Sequence, residues 1–109
     1  MLLIGKWERV YIEHPDTNVI QIWNFIDYQE VAITSFDKAT GAILQSNYYT
    51  GVKLYKVENS KKMKVWNPGN PEGTTDYDII KLNKNVLRII RMEGSLDGWN
   101  FEFIRMANQ

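Results

Sequence analysis

The 109-residue chain has no cysteine and a single histidine, His14. The first absence removes disulfides, thiol catalysis and cysteine-ligated metals together, and it leaves the redox compartment undecided. One imidazole with scattered carboxylates does not make a transition-metal site, and no calcium-loop spacing is present. Charge of one sign is also lacking. Thirteen basic residues balance thirteen acidic ones, so no global field draws the chain to nucleic acid or to an anionic membrane. No apolar run approaches the roughly 20 residues that span a bilayer, so no transmembrane segment is expected. Met1-Leu2-Leu3-Ile4 is too short for a signal-peptide core and runs straight into a strand pattern. No glycine-rich phosphate loop occurs, and no cofactor is expected.

Aromatic residues, by contrast, are plentiful. Four Trp, six Tyr and four Phe favour strands, and they either fill a small barrel or line a pocket. The length suits one domain, residues 1–109, with a single core. No convincing amphipathic helix is present; strand-like runs alternate with turn signals throughout. Strands are expected at residues 4–13, 19–26, 29–36, 62–67, 74–82, 86–92 and 99–106. Residues 42–57 are too long for one ordinary strand, and Gly51 is expected to bend or divide them. Turns are expected at residues 14–18, at Asp27, at 37–41 with Gly41 at positive φ, at 58–61 and at 83–85. Residues 68–73, with two prolines and two glycines, read as the longest irregular segment. About eight strands joined by short loops imply an all-β, antiparallel up-and-down β-barrel.

Two short motifs at opposite ends of the chain bear on closure. Gly5-Lys6-Trp7 opens the first strand, with Trp7, Arg9 and Tyr11 on one face. In the last strand Trp99, Phe101, Phe103 and Arg105 fall on alternate positions and share a face. An arginine on an aromatic face needs a cover, and Trp7 can supply one by cation–π stacking if the first strand joins the last. The preferred reading of Trp7 and Arg105 is a structural seal rather than a ligand contact, because buried arginine needs acceptors.

The Leu3-Ile4-Gly5-Lys6-Trp7 opening, the hairpin of residues 77–82 and 86–89, and the arginine near the chain end resemble the short bacterial lipocalin-like domain family of calycin-type barrels. That resemblance implies a lipocalin-like barrel in which the tryptophan–arginine pair is a fold signature. It also implies a periplasmic or envelope-anchored protein, made with a signal that was later removed, since many relatives look like lipoproteins.

Candidate chemistry is sparse. His14 beside Pro15 and Asp16 reads as a surface-loop histidine, because no nucleophile setting accompanies it. Lys53, Lys56, Lys61, Lys62 and Lys64, interleaved with Tyr55 and Trp66, form the best nucleic-acid-like signal. Lysines on exposed strands also prevent sheet-to-sheet association, and with no net charge the solvated-face reading is preferred. Arg9, Gln21, Arg88, Arg91, Tyr48 and Tyr77 lie on strands, so some must face inward. An inward tyrosine with an inward arginine suits an anionic or carboxylate-bearing small molecule.

The expected function is therefore non-enzymatic binding of a small, partly apolar or carboxylate-bearing ligand. The mouth opposite Trp7 and Arg105 is the expected site, with Trp23, Tyr48, Trp66 and Tyr77 as contacts. Nucleic acid is not an expected partner, and homodimer formation stays open. Two other readings stand beside this one. An interaction module would have a filled barrel and an exposed aromatic patch, and a void below a few hundred Å3 would favour it. A small cofactor-free enzyme would have an inward carboxylate or a tyrosine of perturbed pKa in its cavity.

Overall fold

Local side-chain chemistry stitches the turns. The Asp27 carboxylate accepts hydrogen bonds from the amides of Gln29 and Glu30, each 2.8 Å long. Asn83 does the same for Asn85 and Val86, again at 2.8 Å. Both residues mimic a backbone turn with their own oxygen, which is why Asp and Asn punctuate strands. Gly41 sits at φ 75°, and its amide donates to the Asp37 carbonyl at 2.7 Å. Asn59 and Ser60 both adopt left-handed backbone, φ 54° and 58°, as a type I′ hairpin turn requires.

The computed structural model describes residues 3–10, 18–45, 50–91 and 99–106, with Trp99 described by its backbone alone. Between the turns run eight strands: β1 (Gly5–Val10), β2 (Val19–Phe25), β3 (Glu30–Asp37), β4 (Gly51–Glu58), β5 (Lys62–Asn67), β6 (Asn70–Leu82), β7 (Val86–Arg91) and β8 (Trp99–Arg105). Each pairs antiparallel with the next, and β8 pairs back onto β1 with Arg105 opposite Trp7. The sheet closes on itself, so this is an all-β, up-and-down barrel without free edges. As expected of the stretch 42–57, β4 begins at Gly51. Tyr11, His14 and Tyr48 lie outside the described residues.

One expectation is corrected. Residues 68–73 are not an irregular loop: Pro68 and Gly69 alone make the turn, and β6 starts at Asn70 opposite Asn67. The next registered pair is Val65 with Thr75, so residues 71–74 form a bulge opposite Trp66. A bulged stretch has no ladder bond for proline to lose, which is why Pro71 is tolerated inside a strand. A Cβ at Gly73 would meet only the side-chain amide nitrogen of exposed Asn70, at 2.6 Å, and that flexible tip can swing aside.

Packing is uneven along the barrel axis. Leu3, Trp7, Phe25, Val31, Met63, Leu87, Ile89 and Phe103 are fully buried. Each large apolar side chain removed from water contributes about 1.5–3 kcal/mol. These residues sit towards the end that carries Gly5, Phe25 and Arg105. Towards the other end the inward positions turn polar: Arg9 on β1, Gln21 on β2, Ser35 on β3 and Arg91 on β7.

Candidate ligand-binding site

The apolar end is sealed. The Arg105 guanidinium lies 4.2 Å from the centre of the Trp7 ring. It also donates from Nη1 to the Ile4 carbonyl at 2.9 Å and from Nε to the Lys84 carbonyl at 2.8 Å. Trp7 in turn donates from Nε1 to the Leu3 carbonyl at 2.9 Å. Gly5 permits this arrangement twice over. Its φ is 127°, and a Cβ there would stand 2.7 Å from Arg105 Nη1. Every acceptor named here is a backbone carbonyl, so the pair ties strand ends together.

The opposite half is hollow. A cavity of about 220 Å3 is bordered by Trp23, Ile33, Val65, Tyr77 and Phe101 from the apolar side and by Arg9, Gln21, Lys53, Asn67, Thr75 and Arg91 from the polar side. Trp66 and Gly73 complete its border. The aromatic floor is built of rings in mutual contact. Tyr77 stands edge-on to Trp23 at 6.1 Å and to Phe101 at 5.6 Å, and Trp23 packs 5.0 Å from Phe103 beneath it. Edge-to-face packing of this kind favours one arrangement of the rings.

A polar hub fixes one wall. Gln21, 9% exposed, accepts at Oε1 from Trp23 Nε1 at 3.0 Å and, at a longer 3.5 Å, from Arg9 Nη1. Its Nε2 donates to Ser35 Oγ at 3.1 Å, so the orientation of the amide is defined. The Arg9 guanidinium also lies 4.0 Å over the Phe101 ring. Two contacts of different kinds therefore hold this cation in place.

Of the four expected contacts, Trp23, Trp66 and Tyr77 border the cavity, whereas Tyr48 falls outside the described residues. Trp66 reaches the border at the bulge between Val65 and Asn67, since in register it pairs with Leu54 on the outer wall. Of the strand residues expected to divide between the two faces, Arg9, Gln21, Arg91 and Tyr77 border the cavity, and Arg88 is exposed. Lys53 corrects the lysine cluster. It shares the inward face with Tyr55, borders the cavity and donates from Nζ to Asn67 Oδ1. The remaining lysines lie outside, where Lys62 faces Asp78 at 3.7 Å and Lys64 faces Glu58 at 3.8 Å. Gln21, Lys53, Asn67 and Thr75 were not among the expected contacts, though alternation from the buried Trp23, Tyr55, Val65 and Tyr77 assigns them inward.

No family model, curated protein or solved structure matches this chain. The site must therefore be read from its own chemistry. Among the described residues, no three His, Cys, Asp or Glu side chains converge to hold a metal ion. Among the described residues, no helix is long and apolar enough to cross a membrane. Burial, then Asp27, then Tyr28 push the Tyr55 phenol up to about 12. Tyr55 does not border the cavity; it donates to the Asp27 carbonyl near the sealed end, so its perturbation is structural.

Proposed function

We propose that the protein is a non-enzymatic, lipocalin-like binding domain whose open half holds a small, partly apolar molecule. The observation that carries this reading is the change along the barrel axis: close packing stops at Trp23, Tyr77 and Phe101, and about 220 Å3 of space follows. That volume falls below the few hundred Å3 that would mark a ligand carrier and so counts towards the interaction reading, since drug-sized ligands occupy pockets of about 300–1,000 Å3; about 150 Å3 nonetheless suffices for benzene. A single substituted ring, or an aliphatic group of that bulk, fits. The lipocalin-like assignment is supported by Gly5, Trp7 and Arg105 acting as one sealed unit. By that resemblance the protein works at the bacterial envelope. Nucleic acid is disfavoured as a partner, because Tyr55 is turned into the core and Lys62 and Lys64 face carboxylates.

Titration with benzamide, followed by tryptophan fluorescence and by NMR of the indole N–H groups, tests the reading. The Trp23 resonance is expected to move saturably and the Trp7 resonance to stay. No saturable change at Trp23 would end the ligand-binding proposal.

A second reading, an interaction module that forms a homodimer, draws on the outer wall. There Val52, 47% exposed, pairs with Ala32, and Leu54 pairs with Trp66 beside it. Sedimentation of the purified protein and of Val52→Glu decides it, because a dimer through this wall dissociates in the variant.

A further inference from the structure

We propose that the outer wall at the sealed end of the barrel docks on the surface of an anionic lipid bilayer. The inference is independent of the cavity and of any ligand held there. The chain as a whole is neutral, but its charge is not evenly spread. Four exposed cations, Lys61, Lys81, Lys84 and Arg88, lie around Ile80 at this end. Backbone pairing gathers them on one face. The Ile79 amide donates to the Lys61 carbonyl at 2.7 Å, Lys81 pairs with Arg88 across β6 and β7, and Lys84 sits in the turn that joins those strands. Of the carboxylates around this face, Asp78 and Glu58 are engaged by Lys62 and Lys64. Glu102 opposite Arg88 and Glu8 opposite Ile104 are then set against four cations, so positive charge is in excess.

Two features of this face are unfavourable for the isolated barrel. Lys81 stands directly opposite Arg88, and like charges so placed repel. An anion lying over them relieves that repulsion. Ile80 is the extra residue of a bulge: Ile79 pairs with Ile89 and Lys81 with Arg88, while Ile80 pairs with neither. Ile79 and Leu82 both pack on the core, and the bulge is what allows two residues to separate them. A polar residue would meet that need, yet the position holds an isoleucine that is 52% exposed. Ile104, 51% exposed, flanks the same wall on β8 opposite Val86.

Exposed isoleucines among lysines match the boundary between headgroups and acyl chains, where apolar tips enter and ammonium groups stay with the phosphates. Nucleic acid is served poorly, because bases stack on aromatic rings and this set of residues has none. A second copy would bring like charge against like. A barrel wall is also convex, and a bilayer accepts a convex face that has no groove. Docked in this way, the barrel turns its open mouth away from the lipid.

Cosedimentation of the full chain with vesicles of phosphatidylglycerol and phosphatidylcholine in equal parts, and with vesicles of phosphatidylcholine alone, tests this. The protein is expected to sediment with the anionic vesicles only, and to be released near 1 M salt, where screening extends only about 3 Å. Lys81→Gln and Arg88→Gln should each weaken binding about fivefold, the share of one basic residue at such a surface. Ile80→Ser should also weaken binding, at an unchanged thermal midpoint, because the side chain it removes is exposed. Lys38→Gln removes the same charge from the turn after β3, at the open end, and should leave binding in place. No binding to the anionic vesicles would overturn the proposal, as would equal binding to both kinds. An equal loss in Lys38→Gln would overturn the choice of face. A dimer in sedimentation that Ile80→Ser dissociates would assign the face to a second copy instead.

Discussion

The guanidinium of Arg105 rests 4.2 Å above the indole of Trp7 while bonding the carbonyls of Ile4 and Lys84. One cation thus joins β1, β8 and the β6–β7 turn, and removing either partner disturbs the same set of contacts. Trp7→Ala is expected to cost about 3–5 kcal/mol, as for a fully buried tryptophan. Arg105→Ala should also destabilise, and the double variant should lose clearly less than the sum of the two. Guanidinium titrations of the four proteins measure this; additive losses would mean that the stack carries no shared energy.

Among the described glycines, Gly5 should be the least replaceable. Gly5→Ala meets a backbone at φ 127° and a collision with Arg105 Nη1. A loss of about 1–3 kcal/mol is expected from the backbone strain alone. In an Arg105→Ala background the cost should fall without vanishing, because the collision is relieved and the φ is not. An unchanged cost would assign all of it to the backbone.

The β4–β5 turn offers a gain. Ser60 holds φ 58° with a side chain that disfavours it, while Asn59 beside it tolerates the same region. Ser60→Gly creates the Asn-Gly pair that suits a type I′ turn, and about 1 kcal/mol of added stability is expected. A lower thermal midpoint would show that the two residues do not need left-handed backbone.

Tyr55 sets an alkaline limit. Its folded pKa of about 12 stands above the ordinary value of about 10, so the fold prefers the neutral phenol. Below pH 10 both folded and unfolded chains keep the proton, and the stabilisation is fully present. Between about 10 and 12 the unfolded chain loses the proton first, so stability falls as pH rises. Tyr55→Phe should remove that fall in a series of denaturant midpoints, at the cost of the hydrogen bond to Asp27. A slope that persists unchanged in the variant would place the titration elsewhere.

Gln21 is expected to be worth more than a surface amide. Gln21→Met keeps the volume but removes the acceptor of the buried Trp23 Nε1. A loss of about 1–3 kcal/mol follows from the unsatisfied donor. Because Gln21 also borders the cavity and holds Trp23, benzamide affinity should fall along with stability. A variant as stable as wild type would mean that water replaces the amide as the acceptor.

Much of this architecture was legible in the sequence because barrel strands obey a parity rule. Trp7 and Arg9 on β1, and Phe101, Phe103 and Arg105 on β8, follow alternation, and the seal they predict is the one observed. Turns written in Asp27, Gly41 and Asn83 were equally readable, since each carries its own hydrogen-bonding or backbone reason. Composition misled at Pro68, Gly69, Pro71 and Gly73. Two breakers make the turn, and two sit in a bulge that only the pairing of β6 with β5 creates. Lys53 was misassigned for the converse reason. Grouped by charge it belongs with Lys56 and Lys64, whereas its parity with Tyr55 takes it inside.

The closing bond between Arg105 and the Ile4 carbonyl spans 101 residues of sequence. Strands β1 to β7 can pair as neighbours while the chain is still being made, and β1 keeps an open edge throughout that time. Only when β8 emerges is the last edge satisfied, so Trp7 waits for its cover until that strand has been made. Closure is the step of longest loop and slowest search. A ribosome-bound chain stopped short of Arg105 is therefore an open, edge-bearing sheet, exposed to pairing with its neighbours until β8 arrives.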